Sequence, residues 1–312
     1  MENQEPELCY EAVRLLERLA QEQTLHRYLV KSGALAPLTA AANSSSPQTR
    51  SFAARALVHL ATSSDEKAGV IHRRLVDAGS YTALVHQVAD SHPGVSAHAA
   101  KAVGDILKQG GEPAKQVLAL DAATTLVGLL APLSEGSKEE PAPPSTAAAV
   151  GALAALGGSL PEMIGLDGCQ KLCTAAGSLL FAKGPEEILG ATEALAVVAT
   201  LQSLEDVVAE DREKCSLALC DLLSCADGRV RTSAARCLAN LALHPEYAQV
   251  LGRRDTIGPL LHSLAPHVEV STRQEACRAV SNLAANRECC SPNRNESGNG
   301  ENPLPSFLHP HS

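Results

Sequence analysis

A twelve-residue phrase occurs twice near the C-terminal end, and its recurrence limits what this chain can fold into. The first copy runs Arg231-Thr-Ser-Ala-Ala-Arg-Cys-Leu-Ala-Asn-Leu-Ala242. The second, Arg273-Gln-Glu-Ala-Cys-Arg-Ala-Val-Ser-Asn-Leu-Ala284, starts 42 residues later. Small and branched apolar residues at helical spacing give each copy one narrow face to bury against a close neighbour. With Leu238 as anchor, the same slot falls at Leu16, Leu57, Val103, Val150, Leu195 and Val280. The steps along this series, Leu238 included, are 41, 46, 47, 45, 43 and 42 residues. Four places before the anchors stand Ala12, Ala53, Ala99, Thr146, Ala191, Ala234 and Ala276. A period of about 40–47 residues marks a helical solenoid, whose stacked units share one core.

Composition agrees with helices packed closely together. Hydrophobic residues make up 45% of the 312 positions but aromatics only 2%, with no Trp, so the core is Ala, Leu and Val. Runs of β-branched and aromatic residues alternating with period two are missing, which argues against strands. A net charge of −9 speaks against nucleic acid as main partner, because phosphate binding needs a basic footprint. Ten cysteines in a long chain with a polar, acidic start read as reduced thiols of a soluble intracellular protein, expected in the cytoplasm with the nucleus as a secondary option. No apolar run reaches the ~18 residues of a membrane span.

The phrase predicts a partial first repeat at residues 5–21 followed by six repeats, the array filling residues 1–286. Each repeat is a short helix, a middle helix and a long phrase helix, with Gly33 and Gly79 as helix stops in the first two. Residues 134–145 are acidic and proline-rich and are expected to loop out. The fourth repeat, near Leu160–Leu201, carries several glycines and is expected to be the softest. Residues 287–312 have no apolar period and are expected to be disordered.

The three-helix unit, the Gly before its middle helix and Ala-x-x-Leu-x-Asn-Leu-Ala in its last helix resemble the armadillo repeat, with the HEAT repeat as neighbour. The resemblance covers roughly residues 5–286. It implies an all-α fold, a right-handed superhelical solenoid of armadillo-like three-helix repeats with the phrase helices along the concave side. Peptide readers of that family carry Trp two places before the anchor and Asn two places after it. Here the Trp slot holds Arg14, Arg55, Lys101, Ala148, Glu193, Arg236 and Arg278. The Asn slot holds Arg18, His59, Asp105, Ala152, Val197, Asn240 and Asn282.

The missing Trp argues against a reader of basic peptides of the nuclear-import type. Cations in their place predict a groove for an extended acidic segment, received by Arg55, Lys101, Arg236 and Arg278. His59 shares that face, and Asn240 and Asn282 would hold the segment's backbone. The competing reading is that these cations only cover neighbouring Ala and Leu with their stems.

Nothing in the sequence organises catalysis, a cofactor or a metal. There is no nucleophile elbow, phosphate loop or dinucleotide fingerprint. Cys169 and Cys173 stand i, i+4 but find no third and fourth ligand, and Cys215, Cys220 and Cys225 are spaced to diverge around a helix. The acidic group Glu205, Asp206, Glu210, Asp211 and Glu213 reads as a solvated face. The expected role is a non-catalytic scaffold for a protein partner. The alternative is the helical arm of a larger hydrolase or ligase whose catalytic domain is not in this sequence. Repeat ends without polar caps also predict self-association.

Overall fold

The computed structural model describes residues 4–64, 68–130, 143–201 and 212–286. Among them stand seventeen α-helices and no strand. α1 (Gln4–Ala20) comes first. Then follow α2 (His26–Lys31), α3 (Leu35–Ala41) and α4 (Pro47–Ala61), and after them α5 (Ala68–Asp77), α6 (Ser80–Val88) and α7 (Pro93–Gln109). A third triplet is α8 (Gly111–Leu118), α9 (Ala122–Gly128) and α10 (Pro144–Ala154). α11 (Leu160–Leu179) and α12 (Pro185–Val198) come next, then α13 (Arg212–Leu222) and α14 (Gly228–Leu241). The last triplet is α15 (Pro245–Leu251), α16 (Arg254–His262) and α17 (Val270–Ala285).

Local chemistry sets the boundaries. Pro occupies the first turn of α4, α7, α10 and α12, where a missing N–H costs nothing. Ser46 and Asp227 cap α4 and α14 through side-chain oxygens that accept from Thr49 N and Arg229 N. The junction between short and middle helices needs a left-handed residue. Gly33 at φ 83° and Gly79 at φ 68° supply it, and Asp121 at φ 56° does so before α9. Gly165, at φ 67°, breaks α11 into the same two pieces.

The anchors lie on α1, α4, α7, α10, α12, α14 and α17, and each of these helices packs along the next. Leu57, Val103, Val150 and Leu238 are fully buried in one continuous core, with Leu16, Leu195 and Val280 packed against it. Burying a Leu or Val side chain contributes roughly 1.5–3 kcal/mol, so the repeated slot carries the stack.

Most of the expected acidic loop, all of the expected tail and Glu205, Asp206, Glu210 and Asp211 lie outside the described residues. α10 begins at Pro144, inside the last two positions of that loop. Among the described residues no single helix is long and apolar enough to cross a membrane. Residues Pro144–Ala154 and Gly157–Leu179 pass that test only as a pair bent by 103°, and their apolar side chains Val150, Leu153, Leu172 and Leu179 are buried in the shared core.

Candidate partner-binding face

Residues two before and two after an anchor are i, i+4 on one helix face, so each phrase helix offers one such pair. The structure gives these pairs three different fates.

On α1 the cations stay at the surface, Arg14 pairing with Glu11 of its own helix at 3.1 Å and Arg18 exposed, whereas on α4 they lie against a buried carboxylate. Arg55 pairs through Nη2 with Glu17 Oε1 at 2.7 Å, and the Glu17 side chain is only 3% exposed. The Arg55 guanidinium also lies 5.6 Å from the Phe52 ring centroid. Glu17 accepts from Gln21 Nε2 at 2.9 Å, and His59 Nε2 stands 4.0 Å away. Burial holds the His59 imidazole below its ordinary pKa even though Glu17 pulls the other way, which favours the neutral ring. The slot of Glu17 holds Val58, Gly104, Gly151, Ala196 and Ala239 in the next five phrase helices. A carboxylate there was the one sequence sign of this internal pair.

In the middle the face carries little charge. Lys101 is exposed. Burial raises the Asp105 carboxyl above its usual range, with Lys101, Lys108 and His59 pulling it back down. Ala148, Ala152 and Val197 offer no polar side chain.

At α14 the face opens. Arg236 is exposed, and its only hydrogen bond among the described residues is a long one, 3.5 Å from Nη2 to Ser233 Oγ. It lines two adjoining cavities of about 560 Å³ each. Glu193 of α12 lines both as well, without forming an ion pair with Arg236. Arg229 is paired with Asp227 and Glu186 at 2.9 and 2.8 Å. On α17, Arg278 is held by Glu275, Nε to Oε2 at 2.8 Å.

The two asparagines form rungs between helices. Asn240 Nδ2 donates to Ala196 O at 2.7 Å, and Asn282 Nδ2 donates to Ala239 O at 2.8 Å. Each rung satisfies a carbonyl in the last turn of the preceding helix, where intrahelical partners run out. One amide N–H of each Asn is thereby committed to the fold. Arg236 and Asn240 are brought together beside the second cavity, whereas Arg55 and Arg278 are paired with acidic neighbours of their own and His59 stands 4.0 Å from Glu17.

Four thiols sit in the core, while Cys9 and Cys277 are exposed. Cys169, Cys173, Cys220 and Cys237 are buried, and burial pushes all four up, Cys220 to about 12. They behave as small hydrophobes. Among the described residues no three His, Cys, Asp or Glu side chains converge on a metal-sized site. Cys289, Cys290, His309 and His311 lie outside the described residues.

No protein-family model matches the chain, and no curated protein matches it in sequence. Solved structures match it in shape. An engineered protein superimposes with a TM-score of 0.63 at 24% identity, over 80% of this chain and 98% of its own. A designed armadillo repeat protein solved with the peptide (KR)4 matches with a TM-score of 0.58 at 22% identity, over 80% of this chain and 99% of its own. A structure of computationally designed armadillo repeat proteins for modular peptide recognition gives 0.56 at 24% identity, with 80% and 99% covered. With the stacked phrase helices and single core, these likenesses define the class: the fold is an armadillo-like repeat solenoid.

Proposed function

We propose that this chain is a non-catalytic scaffold that receives an extended segment of a partner protein along the concave side of its solenoid, centred on α14. The observation that carries the reading is Arg236, an exposed guanidinium between two cavities, unspent on any carboxylate among the described residues. A planar guanidinium binds a carboxylate through two parallel hydrogen bonds, so the segment is acidic where it crosses α14. The remaining amide valences of Asn240 and Asn282 serve its backbone. Arg55, His59, Lys101 and Arg278 border the path. Arg55 and Arg278 contribute less than their charge implies, because exchanging Glu17 or Glu275 for a partner carboxylate gains little.

Two of the structural likenesses support a peptide-receiving role: one carries the bound peptide (KR)4 and another is titled for modular peptide recognition. The first peptide is basic, and the present face differs in offering Arg236 to its ligand. A resin carrying a glutamate-rich peptide should retain the wild-type chain at low salt and release it as salt rises. Arg236→Glu should abolish retention, while Arg55→Gln should change it less than threefold. Retention of Arg236→Glu at the wild-type level would refute the reading.

A further inference from the structure

In four adjoining helix pairs, the residue one after an anchor lies against the residue two after the next anchor. Glu17 Oε1 of α1 stands 4.0 Å from His59 Nε2 of α4. A Cβ on Gly104 of α7 would lie 2.9 Å from Ala152 Cα of α10. Ala196 O of α12 accepts from Asn240 Nδ2, and Ala239 O of α14 accepts from Asn282 Nδ2. The residue in this slot therefore decides whether the fold itself fills the space beside its neighbours on the next helix.

At α4 that space is filled. The buried Glu17 side chain reaches Arg55 Nη2 at 2.7 Å and accepts from Gln21 Nε2 at 2.9 Å. The chain thus carries a carboxylate already seated on a guanidinium two before an anchor. At α17 the slot holds Ala239, but Arg278 is taken by Glu275 of its own helix. At α14 the slot holds Ala196, whose side chain stops at Cβ, and Arg236 has no carboxylate partner among the described residues. Where a carboxylate would stand, a cavity of about 560 Å³ is lined by Ala196, Arg236 and Asn240.

The charge of that cavity suits the same occupant. Lys108 lines it from the last turn of α7, exposed and without an ion pair among the described residues. Glu193 is the one acidic side chain among its lining residues. Two cations against one carboxylate leave the cavity positive, so it draws in an anion.

We propose that this cavity is a carboxylate subsite, the open counterpart of the position that Glu17 fills on Arg55. It takes an aspartate or glutamate side chain of the partner segment, which Arg236 grips and Lys108 attracts. The proposal rests on the reading of the groove as a receiver of an acidic segment, and it fixes where the acid enters. Ala196 is the specificity-determining position, because its small side chain keeps the subsite open. Glu17 closes the corresponding position at α4 by occupying it.

The test is calorimetric titration of the full chain with octaglutamate at low salt. Ala196→Glu supplies an internal carboxylate to Arg236, as Glu17 does to Arg55. Binding should weaken by about tenfold or more, the loss of one charged hydrogen-bonded contact, with an unchanged helical signal by circular dichroism. Glu17→Ala, placed in an Arg236→Glu chain that no longer binds, should restore binding by freeing Arg55 and His59. Wild-type binding by folded Ala196→Glu would overturn the subsite even where Arg236→Glu abolishes binding. So would a Glu17→Ala, Arg236→Glu chain that still fails to bind, and this arm decides alone if Ala196→Glu does not fold. A wild type that binds no octaglutamate refutes the acidic-segment reading instead. Denaturation then decides the subsite: Ala196→Glu should lower the midpoint less in the wild type than in Arg236→Gln, which lacks the guanidinium. An equal loss in the two backgrounds would overturn it.

Discussion

The stack from α7 to α12 and the stack from α12 to α17 solve one packing problem in different ways. In the first, glycine lets backbones meet. A Cβ on Gly104 would lie 2.9 Å from Ala152 Cα, and one on Gly190 would lie 3.2 Å from Gly151 Cα. In the second, polar side chains bridge the helices: Asn240 to Ala196, Asn282 to Ala239, Thr232 to Thr272 and Arg231 to Glu269. The difference bears on function. Helices in backbone contact leave no room for polar bridges between them, and the middle face carries Ala148, Ala152 and Val197 beside the charged Lys101, Asp105 and Glu193. Helices held by side chains place polar groups beside open cavities, Arg236 exposed and Asn240 buried.

The contrast is easiest to break at Gly104. Gly104→Val should destabilise by about 3 kcal/mol or more, because the clash is with backbone that cannot rotate away. A denaturant midpoint within error of wild type would show that α7 and α10 do not touch in this way. Next in size is Asn240→Ala. It leaves the Ala196 carbonyl without its partner, and a loss of about 1–3 kcal/mol is expected in the same measurement. Gly177 sharpens the comparison from the other side. Its added Cβ would meet only Cys215 Sγ at 3.5 Å, an ordinary contact. Gly177→Ala should therefore stabilise the helix by roughly 0.5–1 kcal/mol.

The smallest effect is pH-dependent. The folded carboxyl of Asp105 has its pKa raised above the usual 3.8, chiefly by burial. The wild type thus gains from this group only in acid and loses that gain as pH rises through the folded value. Asp105→Asn should raise the thermal midpoint at pH 7 by on the order of 1–2 °C, with the gain vanishing below about pH 4. A gain that grew towards acid would reverse the assignment.

The repeat was legible in the sequence because burial recurs at one slot, so Leu57, Val103 and Leu238 betray each other by spacing alone. The helix junctions were legible at Gly33 and Gly79, whose left-handed backbone restricts the choice of residue. The fates of the cations were not. Whether Arg55 faces a ligand or Glu17 depends on the lateral offset between α1 and α4, which no periodicity encodes. Gly190 in the fourth repeat has a packing role that propensity does not weigh. Helix propensity marks Gly190 as a weak point, yet the structure uses its missing side chain to bring α12 against α10, and tertiary contact overrides propensity. Asn240 and Asn282 were recognisable as special, but their rungs to the preceding helix show only in three dimensions.

The central claim is that recognition resides on the polar-bridged helices and not on the glycine-packed ones. Hydrogen exchange of the full chain, with and without saturating octaglutamate, tests it most directly. The account predicts added protection confined to residues 185–198, 228–241 and 270–285, lost in Arg236→Glu. Protection on α7 and α10 instead, or the same protection in Arg236→Glu, would contradict it.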